Sequence, residues 1–177
     1  MTSPTPPPRP FSDTPQFKVM RVVVGVFNPL IRRLLGSRFA GPMAKSLMLL
    51  RFRGRTSGNW HTTPVGYARE GNQVVVVTSP TYRWWRNVVE RAFVQVRLDG
   101  NWFDAVARVL RPDDPADDAA YDAAVALQVR KRGPRMLRGF GIPVTDDGQV
   151  PASTRTDAGG RAHIVLMELG SRIPRPG

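Results

Sequence analysis

The chain contains no cysteine and only two histidines, His61 and His163, among its 177 residues. The absence of cysteine excludes disulfide bonds, thiolate chemistry and zinc sites of the cysteine type. Two histidines argue against a multi-histidine metal centre, so we expect no metal site. The chain also lacks a Walker or dinucleotide-binding glycine signature, and no Ser-His-Asp arrangement stands out. Several common classes of enzyme are therefore excluded at the outset.

Lysine is scarce and arginine is abundant. Three of the 26 basic residues are lysines, which leaves 23 arginines, and the formal net charge is +12. An arginine-rich surface attracts phosphates, carboxylates and anionic membranes. Nucleic acid is one such partner, so a nucleic-acid-binding protein stays open as an alternative at this point.

Long hydrophobic runs are also lacking. Residues 17–35 mix apolar and basic positions and predict an amphipathic helix kinked at Asn28-Pro29. This segment is too short and too charged to span a bilayer, but it can lie on one and give a peripheral membrane contact. Packing over the core explains the same pattern, so both interpretations stay open.

The N-terminal residues 1–16 are rich in proline, serine and threonine and predict a disordered tail. They lack the basic start and apolar centre of a signal peptide. We therefore expect a cytoplasmic protein, with membrane association only through residues 17–35. A chain of this length forms one domain, which we place at residues 17–177.

Short apolar runs separated by turn residues predict a sheet of antiparallel strands. The predicted strands are 45–53, 60–69 with a break at Pro64, 73–79, 93–98, 101–110 and 163–169. Asp99-Gly100 is the strongest hairpin signal in the chain, because this dipeptide suits a two-residue turn between strands. Hairpins dominate and no repeated βαβ unit is visible, which favours an antiparallel barrel over a doubly wound sheet.

Helices are predicted as insertions between these strands. A short helix is expected at 83–91 and a longer one at 113–131, capped by Asp113 or Asp114 and closed by basic residues. Residues 139–162 contain many turn formers and predict a long loop. The fold class that follows is α+β, mainly antiparallel, with helices packed on the barrel.

The turn "GRTSG" at residues 54–58 lies between two predicted strands. It offers an arginine, two hydroxyls and exposed backbone N–H groups, which together suit a phosphate. Glycine, serine and threonine are also ordinary turn residues, so a solvated turn without a ligand explains the same residue pattern. The residues of the turn alone do not separate these two interpretations.

Five motifs in a fixed order resemble the deazaflavin-dependent nitroreductase family. They are "RGRTSG" after a strand, "TTPVGY" in the next strand, then "VVVVTS", "WWRN" and "FVQV". Each motif alone is weak, but their order and spacing make the resemblance fairly specific over roughly residues 45–110. Proteins of this family are small split β-barrels related to oxidases and reductases that bind flavin mononucleotide (FMN).

The resemblance implies that the cofactor is coenzyme F-420, a 5-deazaflavin with a polyanionic phospholactyl-glutamate tail. It implies hydride transfer from the reduced deazaflavin to a small-molecule acceptor such as a quinone or a nitro compound. Arg55 would meet the tail, the "TTPVGY" strand would line the ring pocket, and the short helix would lie near the cofactor. The resemblance assigns no catalytic side chain. The residues that it assigns to the cofactor are Arg55, Thr56, Ser57, Gly58, His61, Pro64, Val65, Gly66, Thr78, Ser79, Arg83, Trp84 and Asn87.

Two rival functions stay open beside this one. An FMN-dependent reductase would use the same barrel with FMN as its cofactor. A protein without turnover would retain a cofactor or lipid, or bind nucleic acid. The aromatic residues lie mostly in the short helix rather than along one basic strand face, which argues against nucleic acid. A homodimer is expected by similarity to the FMN-binding relatives.

Overall fold

The computed structural model describes residues 47–151, 154 and 160–176. The predicted tail at 1–16 and the predicted helix at 17–35 lie outside the described residues. None of the helices in the described part of the chain has the length and apolar character needed to cross a bilayer.

Seven strands form one antiparallel sheet that curls around a core. In the sheet they follow the order β2-β1-β5-β6-β7-β4-β3. The strands are β1 (Leu47–Arg53), β2 (Trp60–Gly66), β3 (Ala68–Glu70), β4 (Gln73–Thr78), β5 (Ala92–Leu98), β6 (Asn101–Leu110) and β7 (His163–Ile173). The helices are a 3-10 helix at Trp84–Asn87, α1 (Asp118–Arg132) and α2 (Pro134–Gly139).

Two apolar layers lie on opposite faces of this sheet. In β4, Val74 and Val76 pack inside the curl, whereas Val75 and Val77 pack in the layer that contains α1. This alternation explains why the four central positions of the strand are all valine, since both of its faces are covered there. The side-chain Nε2 of Gln128 in α1 donates to the carbonyl of Val75 at 2.8 Å, which fixes the helix on the sheet.

The turn at Asp99-Gly100 joins β5 and β6 as expected. Asp99 has φ of 48° and Gly100 has φ of 82°. Two successive positive φ values are the mark of a type I′ hairpin turn, whose twist matches that of the strands it joins.

Three expectations about element boundaries were wrong. β2 runs through Pro64, which pairs with Leu49, because β2 is an edge strand and its free edge tolerates the missing N–H. The short helix covers only residues 84–87 of the predicted 83–91. β7 continues to Ile173, beyond the predicted end at 169, because it pairs along its length with β6.

The main helix starts later than expected, at Asp118 instead of residue 113, and α2 was not predicted. The residue before α1, Asp117, makes no capping bond to the helix. Its carboxylate instead accepts hydrogen bonds from the Arg108 side chain and the Arg111 backbone N–H. The acidic side chain just before the helix is therefore bound by two arginines from other parts of the chain and does not cap the helix.

Candidate cofactor site

The turn between β1 and β2 is closed by its own backbone. The N–H of Gly54 donates to the carbonyl of Asn59 at 2.8 Å, and the N–H of Gly58 donates to the carbonyl of Gly54 at 2.8 Å. Gly58 has φ of 66°, a conformation that glycine adopts without strain. We call residues 54–59 the hairpin tip. Its residues 55–59 are exposed.

A side chain of the 3-10 helix holds the hairpin tip in place. The side-chain Oδ1 of Asn87 accepts a hydrogen bond from the backbone N–H of Arg55 at 2.8 Å. The Nδ2 of the same asparagine donates to the carbonyl of Trp84 at 2.9 Å. Asn87 therefore uses both ends of its amide to join two segments that are far apart in sequence.

Within the part of the chain that the structure describes, the cation and two backbone donors of the hairpin tip have no partner. The guanidinium of Arg55 makes no ion pair or hydrogen bond with any described residue. The backbone N–H groups of Thr56 and Ser57 likewise have no acceptor within the described ranges. Such a group of a positive charge and adjacent N–H donors suits an anion.

Aromatic rings lie directly behind the hairpin tip. The Phe52 ring is 5.7 Å from the His61 ring and 6.4 Å from the Trp84 ring, measured between centroids. Space beside Gly54 is also tight, since a Cβ built there would lie 2.6 Å from the Ser57 Oγ and 2.9 Å from the His61 Nε2. These contacts bring Ser57, His61 and Trp84 into one region.

A cavity of about 430 Å³ adjoins this region. The residues that line it are Phe52, Arg53, Trp60, Asn87, Ala92 and Phe93. The guanidinium carbons of Arg51 and Arg53 lie 4.7 and 5.2 Å from the centroid of the Trp60 ring. The sequence motifs predicted Asn87, but not Arg51, Arg53 or Trp60, as a site residue. The hairpin register pairs Arg53 with Trp60.

Thr78 and Ser79 lie at the end of β4, and both are buried. The Ser79 Oγ is 2.9 Å from the Thr81 Oγ1, so this hydroxyl already has a partner. Within the described part of the chain, no hydrogen bond joins these residues to the hairpin tip. They connect to the short helix indirectly, because the Trp85 Nε1 donates to the carbonyl of Pro80 at 3.4 Å.

His163 packs against the short helix and was not among the predicted site residues. Its ring centroid lies 3.8 Å from that of Trp85, and it pairs with Thr78 across β4 and β7. Burial lowers the pKa of His163, and the positive charge of Arg86 lowers it further. The ring is therefore biased towards its neutral form. Only tertiary contact could reveal this pair, since the two rings are far apart in sequence.

The predicted ring-pocket residues occupy the far end of β2. Val65 is buried in the core, whereas Pro64 and Gly66 are half-buried. From Trp60 to Gly66 the strand spans roughly 20 Å. The predicted residues therefore form an elongated arrangement, with the hairpin tip at one end. Arg83 is exposed and precedes the short helix.

Comparison with solved structures supports the fold. The chain is similar to a structure described as a domain-swapped dimer, with 17% identity, coverage of 88% of this chain and 100% of that chain, and a TM-score of 0.50. It is similar to an F-420-H2 dependent reductase (FDR-A), with 17% identity, 70% and 94% coverage, and a TM-score of 0.44. It is also similar to HutZ, the haem storage protein from Vibrio cholerae, with 15% identity, 84% and 90% coverage, and a TM-score of 0.44.

The first likeness bears on the fold alone and, with the curled antiparallel sheet, confirms the predicted α+β split β-barrel. No curated protein matches the chain significantly. A family model described as F-420H(2)-dependent quinone reductase matches residues 27–144, which is more than half of the chain. This chain therefore belongs to the F-420H(2)-dependent quinone reductase family, and it is an oxidoreductase whose cofactor is coenzyme F-420.

Proposed function

We propose that this reductase transfers a hydride from reduced coenzyme F-420 to a quinone, a nitro compound or another small organic acceptor. In this proposal the hairpin tip binds the polyanionic tail of the cofactor. The observation that carries the proposal is the hydrogen bond between the Arg55 N–H and the Asn87 side chain. It holds the hairpin tip against the aromatic helix, while the guanidinium of Arg55 has no partner among the described residues.

The residues at the hairpin tip fit an anionic group. A guanidinium presents a rigid fork of donors that matches a phosphate or carboxylate. The N–H groups of Thr56 and Ser57, and their hydroxyls, add neutral donors beside it. Gly58 completes the turn, and the ring of His61, near the start of β2, rests on Phe52. The tail of coenzyme F-420 carries a phosphate and carboxylates, which are the groups that this donor set would hold.

The elongated arrangement along β2 fits a cofactor with a ring at one end and a charged tail at the other. In the proposal Pro64, Val65 and Gly66 line the ring. Thr78 and Ser79 approach its edge through the end of β4, and Trp84 packs nearby. When bound, reduced F-420 supplies a hydride. In this proposal the protein positions the ring and excludes water from it.

The overall reaction needs no metal and no nucleophilic side chain. A quinone that accepts a hydride gains two electrons, and a proton from water completes the hydroquinone. We assign no residue as a catalytic acid, since water supplies this proton once the hydride has been transferred and the product is released. Arg83 is proposed as a second cation for the tail, because it is exposed beside the short helix.

A fluorescence titration tests the assignment of the tail site. Purified protein is titrated with coenzyme F-420 and, separately, with FMN, using wild type, Arg55→Ala and Arg55→Lys. Loss of a hydrogen bond to a charged group costs about 1.5–3 kcal/mol, so Arg55→Ala should weaken F-420 binding roughly 10- to 150-fold. Arg55→Lys should restore only part of this loss, because lysine lacks the fork.

Arg135→Ala is the matched control, since it removes an exposed arginine from α2 and leaves the hairpin tip intact. Equal weakening by Arg55→Ala and the control would contradict the tail site. Tight FMN binding without F-420 binding would indicate that the protein is an FMN-dependent reductase. Oxidation of reduced F-420 by menadione or a nitroaromatic compound then identifies the class of acceptor.

We also propose that the protein forms a homodimer. Two large apolar side chains are exposed among the described residues: Val89, between the short helix and β5, and Phe93, the second residue of β5. Phe93 also lines the cavity beside Asn87. Light scattering that gives the mass of a single chain, 19.7 kDa, would contradict a dimer.

Peripheral membrane contact through residues 17–35 is a further proposal, and it rests on the sequence pattern alone. Binding to anionic vesicles should be weak, should fall with salt, and should disappear when residues 1–35 are deleted. Equal co-sedimentation of the full and shortened chains would contradict it.

A further inference from the structure

A second cleft, of about 500 Å³, lies at the opposite end of the sheet from the hairpin tip. We call it the arginine cleft. It is formed where β5, β6 and β7 meet, and its lining residues are Arg97, Gly100, Asn101, Trp102, Arg172, Ile173, Pro174 and Arg175. Three of these eight residues are arginines and none is acidic. A concave site lined by three positive charges and no negative charge favours the binding of an anion.

The strand register separates the arginine cleft from the hairpin tip. Phe52, next to the tip, pairs with Val94, whereas Leu49 pairs with Arg97 towards the other end of β1. The β5–β6 turn at Gly100 lies beyond Arg97. At about 3.3 Å per residue, the two regions are more than about 10 Å apart along the strands. A ligand held in the cleft is therefore distinct from the tail at the hairpin tip.

Among the described residues, two of the arginine side chains lack neutralising partners. The guanidinium groups of Arg172 and Arg175 form no ion pair or hydrogen bond with any residue that the structure describes. The acidic residues closest in sequence to the lining residues are Asp99, Asp104 and Glu168, and none of them lines the cleft. Arg172 and Arg175 are both exposed at this cleft, so their charges are accessible to a ligand. A cleft lined by one sign of charge attracts ions of the opposite sign, which here are anions.

Trp102 adds an observation that does not depend on charge. Its indole Nε1 is buried and has no hydrogen-bond acceptor among the described residues. A buried donor without an acceptor costs about 1–3 kcal/mol. Trp102 pairs with Arg97 on one side and with Ile173 on the other, so it lies at the centre of the three strands that build the cleft. An oxygen-rich ligand there would offer the acceptor that the described residues do not supply.

We propose that the arginine cleft binds a phosphate monoester carried by a small organic group. Guanidinium groups match phosphate oxygens by charge and by geometry. The volume of about 500 Å³ exceeds what a phosphate ion alone would fill, which leaves room for a ring-sized substituent. The concave shape and the buried indole N–H favour a small ligand over a flat membrane surface.

Calorimetric titration with phenyl phosphate tests this site at constant ionic strength. The test variant is Arg172→Gln with Arg175→Gln, and the control is Lys131→Gln with Arg135→Gln, which removes the same charge from exposed positions on α1 and α2. The wild type should bind phenyl phosphate and not neutral phenol. The test variant should weaken binding about tenfold or more, while the control should change it less than about twofold.

Trp102→Phe gives a second measurement, because it keeps a ring and removes the N–H. It should weaken phenyl phosphate binding, because the removed N–H, which has no acceptor among the described residues, is proposed to donate to the ligand. The melting temperature of the free variant shows that it still folds, and unchanged phenyl phosphate binding by the folded variant would argue against the role of Trp102. The affinity for coenzyme F-420 should be the same in the wild type and in the Arg172 and Arg175 variant, which separates this site from the hairpin tip.

Three results would overturn the proposal. The first is the absence of phenyl phosphate binding by the wild type. The second is equal weakening by the test and control variants, which would mean that the overall positive charge attracts the anion. The third is binding to phosphatidylglycerol vesicles that depends on Arg172 and Arg175 while phenyl phosphate does not bind, which would assign the surface to membranes.

Discussion

The side-chain Oδ1 of Asn87 lies 2.8 Å from the backbone nitrogen of Arg55 and accepts its hydrogen bond. This bond ties an exposed turn to a short helix that comes much later in the chain. It fixes the backbone of the residue whose charge is proposed to meet the cofactor tail. Positioning of this kind reduces the entropy that a flexible turn would lose on binding.

Replacing Asn87 by alanine should therefore weaken coenzyme F-420 binding while leaving Arg55 in the chain. A net hydrogen bond contributes about 0.5–1.5 kcal/mol, which corresponds to a loss of roughly 2- to 13-fold in affinity. Fluorescence titration measures the change. Asn59→Ala is the control, because it truncates the same residue type at the hairpin tip, where only backbone atoms of Asn59 are bonded. A larger loss in the control would argue against the role of Asn87.

Gly54→Ala should disturb the hairpin tip through crowding. The added Cβ would lie 2.6 Å from the Ser57 Oγ and 2.9 Å from the His61 Nε2, both closer than ordinary contact. Both side chains must then shift, so we expect weaker F-420 binding and a small change in melting temperature. Adding Ser57→Ala removes the closer contact and should recover part of the affinity. If the single variant binds like the wild type, the tip is not held as tightly as these contacts indicate.

The ion pair between Arg108 and Asp117 should contribute to stability in a pH-dependent way. Burial alone would raise the pKa of Asp117, but hydrogen bonds from the Arg111 N–H and the Arg108 side chain, with their charges, hold it below its ordinary value of 3.8. The lowered pKa means that this stabilisation is present above pH 3.8 and is lost as the pH falls through the folded-state pKa.

Asp117→Asn should lower the free energy of unfolding by about 1–3 kcal/mol at neutral pH, because it leaves polar partners without a charge to bind. Urea denaturation measures this loss. Asp113→Asn is the control, since Asp113 is exposed and forms no hydrogen bond or ion pair with the described residues. If both variants lose the same stability, the buried position of Asp117 has no special importance.

His163 should make the protein less stable as the pH falls. Burial and the charge of Arg86 lower its pKa from the ordinary 6.5, so the unfolded chain takes up a proton at a higher pH than the folded chain. Stability is thus complete above about pH 6.5 and decreases from there down to the folded-state pKa. Urea denaturation across this range should show a flatter profile for His163→Gln. Arg86→Gln should flatten it in part, and an unchanged profile in both variants would contradict this explanation.

The sequence by itself determined much of the architecture. Asp99-Gly100 predicted a hairpin that the structure confirms, since only a few residue types accept two positive φ values in succession. The continuous apolar run of β4 predicted a buried strand, and Val74 and Val75 indeed pack on opposite faces. Local rules suffice for such features because their causes lie within a few residues. The order of five short motifs also indicated the family, which the match to residues 27–144 confirms.

Only the tertiary structure decided which side chains meet. Asn87 reaches Arg55, and Trp85 packs on His163, across separations in sequence that no local pattern encodes. Tertiary contacts also decided the role of Asp117. Its carboxylate accepts hydrogen bonds from Arg108 and Arg111 instead of capping the helix that follows. Long-range contacts depend on how strands pair and how the sheet curls, and their energies outweigh the small preferences of a single turn. Sequence thus determined the elements and the chemical groups, and folding decided which of those groups share a site.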